Sequence, residues 1–498
     1  MRLKLQLSDS LIFVQDKYLR GIQARQVGQL EISESTDEAG NSLVVFSFVS
    51  LGNRCYLVKN GRDCLIIDPP LSNWRILQYL SEKRLSVSAV FDTHIHNDYI
   101  SGGFDIAETL GASYFAPSYK SRHVAVANPM QDGQRIEFDS FGLGALHTPG
   151  HTLDHHSLIL EFNVHQAAML FSGGSWIRGG LGRVDLDPEE SPETLAVMQI
   201  ESLHKMSGLV QDDTLLLPTH GFGSYCSYGA VESLGSTVGH DRLVNPYLTS
   251  ANPMARLLDN PLPIPPHFRE MSTRNQIEIN RSPIRNFHDF FLKTVGSRDA
   301  DRELLDTRPR RVRLETGEVQ AKTLGTDGPF PAWLGWRQDL PDDPMFLVLD
   351  EFQAEILSEG LVAIGRPAPN RFITNIGETE LTPLGADVID ASQLENWISL
   401  EALTTLDLRH GKEWNIGHLR HSTSIPYEDF PFLEGDLVNK AVAVYCGSGY
   451  RASLFLSDSE PSVSKRILIN GSVSDALSDS DFWCTDAHAS RVCGGPRG

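Results

Sequence analysis

Two groups of residues in this sequence have the types and spacing that chemistry requires: a set of histidines in the first half, and one cysteine among glycines near the end. Thr93-His94-Ile95-His96-Asn97-Asp98-Tyr99 follows directly on the apolar run Ser88-Ala89-Val90-Phe91-Asp92. A strand ending in His-x-His-x-Asp projects two imidazoles and a carboxylate from a single turn, which is the donor density a metal ion needs. Two more histidines end strand-like runs: His151 in Thr148-Pro149-Gly150-His151-Thr152, and His220 in Leu217-Pro218-Thr219-His220. Loops at one edge of a layered domain would bring these side chains to one ion. Read singly, each is as well explained as a polar loop histidine; chance rarely supplies all three contexts together. The metal-ligand candidates are His94, His96 and His151, with Asp98 and His220 as alternatives. His155 and His156 either orient a ligand or have a solvated or capping role.

The second group is Cys446-Gly447-Ser448-Gly449-Tyr450-Arg451, preceded by the apolar run Ala441-Val442-Ala443-Val444-Tyr445. A buried strand delivers the cysteine to a loop that can curl, so that backbone N–H groups and a helix N-terminus point inward and stabilise an anionic sulfur. Cys446 is the candidate nucleophile, Arg451 closes the loop with a fixed positive charge, and Gly447, Ser448, Gly449 and Tyr450 would cradle a persulfide. Four residues separate Cys446 from Arg451, one fewer than in the wider phosphate cradle of cysteine phosphatases, so the ring suits a sulfane sulfur. The plainer reading is a buried, inert cysteine that ends a strand.

The elements that must position these residues are short. From about Leu43 to His220, apolar β-rich runs alternate with loops and helical stretches, the pattern of a layered α/β domain. A helical segment, Glu190–Gly208, carries apolar residues at three- and four-residue spacing. The Pro- and Asn-rich stretch from Asn245 to Phe268 is expected to lack regular structure and to connect domains. Beyond it, two strand-like runs and a helix (Glu303–Arg308, Met345–Asp350, Glu351–Gly360) are echoed by Thr405–Arg409, Ala441–Cys446 and Arg451–Asp458, as tandem copies of one α/β unit would be. The first copy offers Asp306-Thr307-Arg308, but Asp350-Glu351-Phe352 stands where a cysteine loop would follow. The expected boundaries are 1–43 (an extension), 44–245, 246–384, 385–483 and 484–498 (a tail).

Composition bounds the rest. At 498 residues the chain must divide into several cores. Its 64 acidic against 43 basic residues, a formal charge of −21, exclude the clustered cationic face that nucleic acids require. No apolar run approaches the length of a bilayer span, and the start of the chain lacks a signal-peptide core, so the cytoplasm is the expected compartment. The six cysteines form no C-x-x-C pair, which argues against a zinc knuckle or a disulfide framework. Cys484 and Cys493 are expected to be exposed and incidental.

The ordered set Thr93–Asp98, Thr148–Thr152, Phe171–Asp185 and Pro218–Gly221 resembles the metallo-β-lactamase superfamily, particularly its persulfide dioxygenase branch, over roughly residues 44 to 230. The resemblance implies an αββα sandwich and one ferrous ion, with His94 and His151 as ligands. The aspartate that completes the family's set falls on Gly174, and Tyr99 replaces the last histidine of its first motif, leaving only Asp98 and His220 at a second metal position. A two-zinc hydrolase is therefore disfavoured. Three readings stay open: a face of His94, His96 and His151; Asp98 or His220 as third ligand; or a site that holds no metal. Arg183 and Asp185 match a family motif whose arginine supports the thiol substrate, the alternative being a structural ion pair. The cysteine loop, Asp407-Leu408-Arg409 and Glu413–Leu419 resemble the rhodanese family over about residues 385 to 483, with the middle unit a degenerate copy.

Together these imply an α/β protein that oxidises a low-molecular-weight persulfide, such as glutathione persulfide, to sulfite on one metal ion, Fe(II) with Zn(II) as alternative, and moves sulfane sulfur through Cys446. The expected partners are persulfides, thiols, sulfite and thiosulfate, with no nucleic acid and no membrane, and with a homo-oligomer left open. The competing readings are a zinc thioesterase of the glyoxalase type, and a sulfurtransferase on an inactive metallo-β-lactamase-like scaffold.

Overall fold

The computed structural model describes residues 23–485 apart from gaps, the longer ones being 222–225, 229–235, 278–292, 295–301, 337–343, 375–385, 395–403, 428–440 and 459–464. Among the described residues, two sheets of nine and six strands face each other across one core. The first runs in chain order from Gln23–Val27, antiparallel as far as Asp63–Ile67, then parallel through Ser86–Phe91 to Ser113–Tyr119. The second contains Phe141–His147, His156–Phe162, Gln166–Gly173 and Leu215–Pro218. Side chains alternate along each strand. Leu43 and Val45 therefore enter the core between the sheets, while Val44 and Phe46 pack outward beneath the Trp74–Lys83 and Gly103–Leu110 helices. The opposite face of the second sheet is covered by the Pro192–Leu209 helix, which Ser191 caps. This is the expected αββα sandwich. It starts earlier than expected, because Gln23–Val27 and Leu30–Thr36 lie within the supposed extension and pair into the first sheet.

The proline-rich stretch is irregular only in part. It contains two short helices, Pro246–Thr249 and Pro253–Leu258, and is flanked by Val238–Val244 and by a longer helix, Phe268–Ile277. Pro246 and Pro253 fall in first turns, where a missing N–H costs nothing, and Asn245 and Asn252 accept from the backbones of Tyr247 and Ala255 as N-caps, whereas Pro263, Pro265 and Pro266 lie outside the helices, as expected.

Two five-stranded parallel sheets follow, and they have one topology. Numbering each sheet's strands along the chain, both run 1-5-4-2-3: Lys293–Thr294, Arg371–Ile373, Met345–Leu347, Leu304–Asp306, Lys322–Thr323 in one, and Asp387–Asp390, Lys465–Asn470, Ala441–Tyr445, Thr404–Asp407, Thr423–Ser424 in the other. The repeat extends to single ion pairs. Arg308 grips Asp306 through Nε and Nη2 and donates to the Gly317 carbonyl; Arg409 does the same with Asp407 and Gly417. Val348, fully buried, follows the Met345–Leu347 strand as Cys446 follows Ala441–Tyr445. The two units share a core that includes Phe330, Trp333 and Val348 from one and Leu406, Cys446 and Phe455 from the other.

Candidate functional site

Four strand ends converge at one edge of the sandwich. The Ser86–Phe91 strand presents His94 and His96, Phe141–His147 leads into His151, Gln166–Gly173 ends beside Gly174, and Leu215–Pro218 presents His220. All four imidazoles are buried. The His94 ring lies 4.2, 5.0 and 5.0 Å from those of His96, His151 and His220. Their ligand atoms enter three sets within 4.8 Å: His94 with His151 and His220, His96 with Asp98 and His220, and His96 with Asp68 and Asp92. His220 is thus shared by the first two sets, and the trio of His94, His96 and His151 is not the grouping the geometry makes most compact.

Each imidazole has its outward nitrogen held, which fixes the tautomer and turns the other nitrogen into the cluster. His151 Nδ1 donates to the Arg183 carbonyl (2.8 Å), and its Nε2 is buried without a partner. His96 Nε2 lies 3.3 Å from Asp68 Oδ1 and 3.0 Å from the Tyr99 hydroxyl, and its Nδ1 is likewise unpartnered. Asn53 donates to Asp98 (2.7 Å), so its carbonyl oxygen faces His220 Nδ1 at 2.8 Å and that nitrogen is the donor. The Thr93 hydroxyl donates to Asp68 and accepts from His94 Nδ1 at 2.9 Å. With both outward nitrogens protonated, His94 Nε2 and His220 Nε2 present lone pairs to each other at 3.0 Å. That is repulsive alone, and close to the separation of about 3.3 Å for two nitrogens on one tetrahedral ion. Burial presses His94 well below the ordinary imidazole value, and burial beside His220 lowers His151 to about 3, so both are neutral bases. The donor set fits a metal ion.

Gly174 and Gly182 form the walls of a slot around the His151 ring. A Cβ on Gly174 would overlap that ring, and one on Gly182 would overlap the Gly174 carbonyl and stand 2.7 Å from His151 Nδ1. The missing carboxylate is thus built into the packing. His155, buried, accepts from the Gly174 N–H (3.0 Å) and holds that wall, which gives it an orienting role; His156 is buried with its Nδ1 on the Asp154 carbonyl rather than solvated. Arg183 is fully buried, its guanidinium on Asp185 (2.6 and 2.8 Å) and the Pro263 carbonyl, and it meets the cluster through its backbone oxygen. The structural ion pair foreseen as its alternative is present.

Cys446 is buried, and the Gly449 N–H points at its Sγ from 3.1 Å. Gly449 has φ of 85°, a conformation that glycine adopts without strain. Arg451 is paired through both terminal nitrogens with Glu413 (2.8 and 2.9 Å), so the charge expected to close the loop is balanced by a carboxylate. Cys484 is buried rather than exposed: the Trp483–Cys484 strand pairs with His418–Leu419, and the cysteine is disulfide-bonded. Cys493 lies outside the described residues. Asp68 and Asn53 were not singled out in the sequence; for Asp68 the signal was a carboxylate closing the apolar strand Cys64-Leu65-Ile66-Ile67.

Residues 51–165 match the Metallo-beta-lactamase superfamily. The hydroxyacylglutathione hydrolase of Tolumonas auensis is 30% identical over 184 residues, 35% of this chain and 65% of its own length. That named GloC, from Haemophilus influenzae, is 24% identical over 230 residues, 42% of this chain and 99% of its own. Among solved structures, a metallo-beta-lactamase from Staphylococcus aureus shares the fold with a TM-score of 0.57 at 23% identity, covering 68% of this chain and 99% of its own. The chain carries a metallo-β-lactamase superfamily domain with the His/Asp cluster of that superfamily's metal site. Among the described residues, that domain is followed by two parallel-sheet α/β units.

Proposed function

We propose that the protein oxidises a low-molecular-weight persulfide to sulfite at the histidine cluster and transfers sulfane sulfur through Cys446 in a rhodanese-like unit. The observation that carries the first half is the slot around His151: with Gly174 and Gly182 packed on the ring, no carboxylate from that turn bridges two ions, and Tyr99 is held by His96 and the Asp68 carbonyl. That arrangement favours a single ion. When bound, Fe(II) supplies the redox chemistry that dioxygen requires. The protein's residues hold the ligand tautomers, exclude water by burial and keep neutral nitrogen donors facing inward. The reaction balances as persulfide plus dioxygen and water giving thiol, sulfite and two protons.

The second half is supported by the Cys446–Gly449 contact and by the repeated Asp-x-Arg frame. Burial and the Arg451 charge lower His410 to about 4 despite the Glu413 carboxylate. Sulfite leaving the first site would take the sulfur of a Cys446 persulfide, giving thiosulfate and the free thiolate.

Hydrolysis of a glutathione thioester is the second reading, favoured by the identity with hydroxyacylglutathione hydrolases. Metal content after anaerobic purification, with oxygen uptake on adding glutathione persulfide, separates the two. Stoichiometric iron with persulfide-dependent uptake supports the dioxygenase; zinc with thioester hydrolysis and no uptake refutes it.

A further inference from the structure

The middle α/β unit has no nucleophile where its twin has Cys446, yet it reaches that cysteine's loop at several points. Arg310, at the start of the Arg310–Thr316 helix, donates from Nη1 to the Ser448 carbonyl at 2.7 Å. A Cβ on Gly449 would stand 2.7 Å from that same nitrogen, so the guanidinium packs against the residue whose N–H points at the Cys446 thiol. The Tyr450 hydroxyl donates to the Gly325 carbonyl at 2.7 Å, and Gly328 lies so close to the Tyr450 ring that a Cβ there would overlap it. The middle unit thus clamps the loop by its backbone and its tyrosine.

The charge at this mouth is what the loop lacks by itself. Arg451 is neutralised by Glu413, whereas no carboxylate pairs with the Arg310 side chain among the described residues. Ser448 is exposed and Gly447 is partly so, which puts Arg310 at the open side of the loop. Sulfur transfer from thiosulfate brings a dianion to a thiolate. The thiolate attacks the sulfane sulfur, a new S–S bond forms, and the electron pair of the old one leaves with sulfite. Two like charges must meet, and a cation with free N–H groups at the point of approach offsets that repulsion.

We propose that Arg310, supplied by the middle unit, binds the anionic sulfur donor at the Cys446 loop, so that the site is composed from both α/β units. This rests on the sulfurtransferase reading above and adds to it the residue that receives the donor's charge and a purpose for the copy that has no cysteine.

The full-length chain is assayed with thiosulfate as donor and cyanide as acceptor. Arg310→Gln raises KM for thiosulfate about tenfold, the worth of one charge-assisted contact, with kcat within about twofold and an unchanged melting temperature. Arg310→Lys keeps the charge and recovers KM to within about threefold of the parent. Should the Gln variant fail to fold, Arg310→Met takes its place in the comparison. An unchanged KM, a Lys variant no better than Gln, or a loss of kcat and melting temperature at constant KM overturns the proposal. A parent protein that transfers no sulfur from thiosulfate, while Cys446 is free and reactive, refutes the sulfurtransferase reading itself and the assignment with it.

Discussion

Asp68→Asn should invert the tautomer of His94. Asp68 receives the Thr93 N–H at 2.6 Å and lies 3.3 Å from His96 Nε2 through Oδ1, and through Oδ2 it accepts the hydroxyls of Thr93, at 2.8 Å, and Thr219. An asparagine must leave its oxygen on the side of the Thr93 N–H, which cannot turn. Its NH2 then faces the two hydroxyls. The Thr93 oxygen, now an acceptor from the amide, sends its own proton to His94 Nδ1, 2.9 Å away. His94 Nε2 becomes protonated and can no longer bind a metal. Loss of this kind of outer partner lowers metal affinity about 10- to 100-fold, or about 1.4 to 2.7 kcal/mol. Competition with a chelator, for Fe(II) under anaerobic conditions or for Zn(II), measures it, with circular dichroism to confirm the fold. Thr93→Ser, which keeps the hydroxyl, should stay within about threefold of the parent. Parent-like affinity in Asp68→Asn would refute the tautomer argument.

Gly182→Ala should drive a methyl against the Gly174 carbonyl and His151, costing about 1 to 3 kcal/mol of stability and weakening metal binding more than Gly208→Ala, which meets open space; equal effects in a melting and metal-titration series would dispose of the slot. Cys446→Ala should abolish sulfur transfer and leave persulfide-dependent oxygen uptake intact; residual transfer at the parent rate would remove Cys446 as nucleophile. Glu359, buried against Arg75, is held up at about 7 by burial despite that partner. A folded pKa raised from 4.5 means that the carboxyl's contribution, about 3 kcal/mol, is fully present below pH 4.5 and lost as pH rises through 7. Urea midpoints at pH 5 and pH 8 should therefore differ more in the parent than in Glu359→Gln, and an identical pH response in both would contradict the assignment.

Much of the site is visible in the chain because ligands and nucleophiles occur in local patterns. His94, His96 and Asp98 share one turn, and Cys446 and Arg451 share one loop, so their spacing states the chemistry before any contact is known. The duplicated α/β unit is legible for the same reason, since Asp-x-Arg after a strand forms its ion pair within three residues. The αββα layering follows from apolar runs that bury both faces of a strand. The prolines misled because one rule, that proline ends helices, competes with another, that it begins them, and only the Asn caps choose between the two.

What the tertiary structure alone decided are the partners that come from far along the chain. Asn53 orients His220 across 167 positions, Arg75 meets Glu359 across 284, and Arg310 reaches Ser448 across 138. No local pattern marks such residues, because each acts through the place where the fold ends its strand or helix. The sequence by itself determined which side chains can do chemistry. The packing decided which nitrogen of each histidine faces inward, why Gly174 leaves no room for a carboxylate, and which charge stands open beside Cys446, since these depend on hydrogen bonds and contacts that exist only once the layers are assembled.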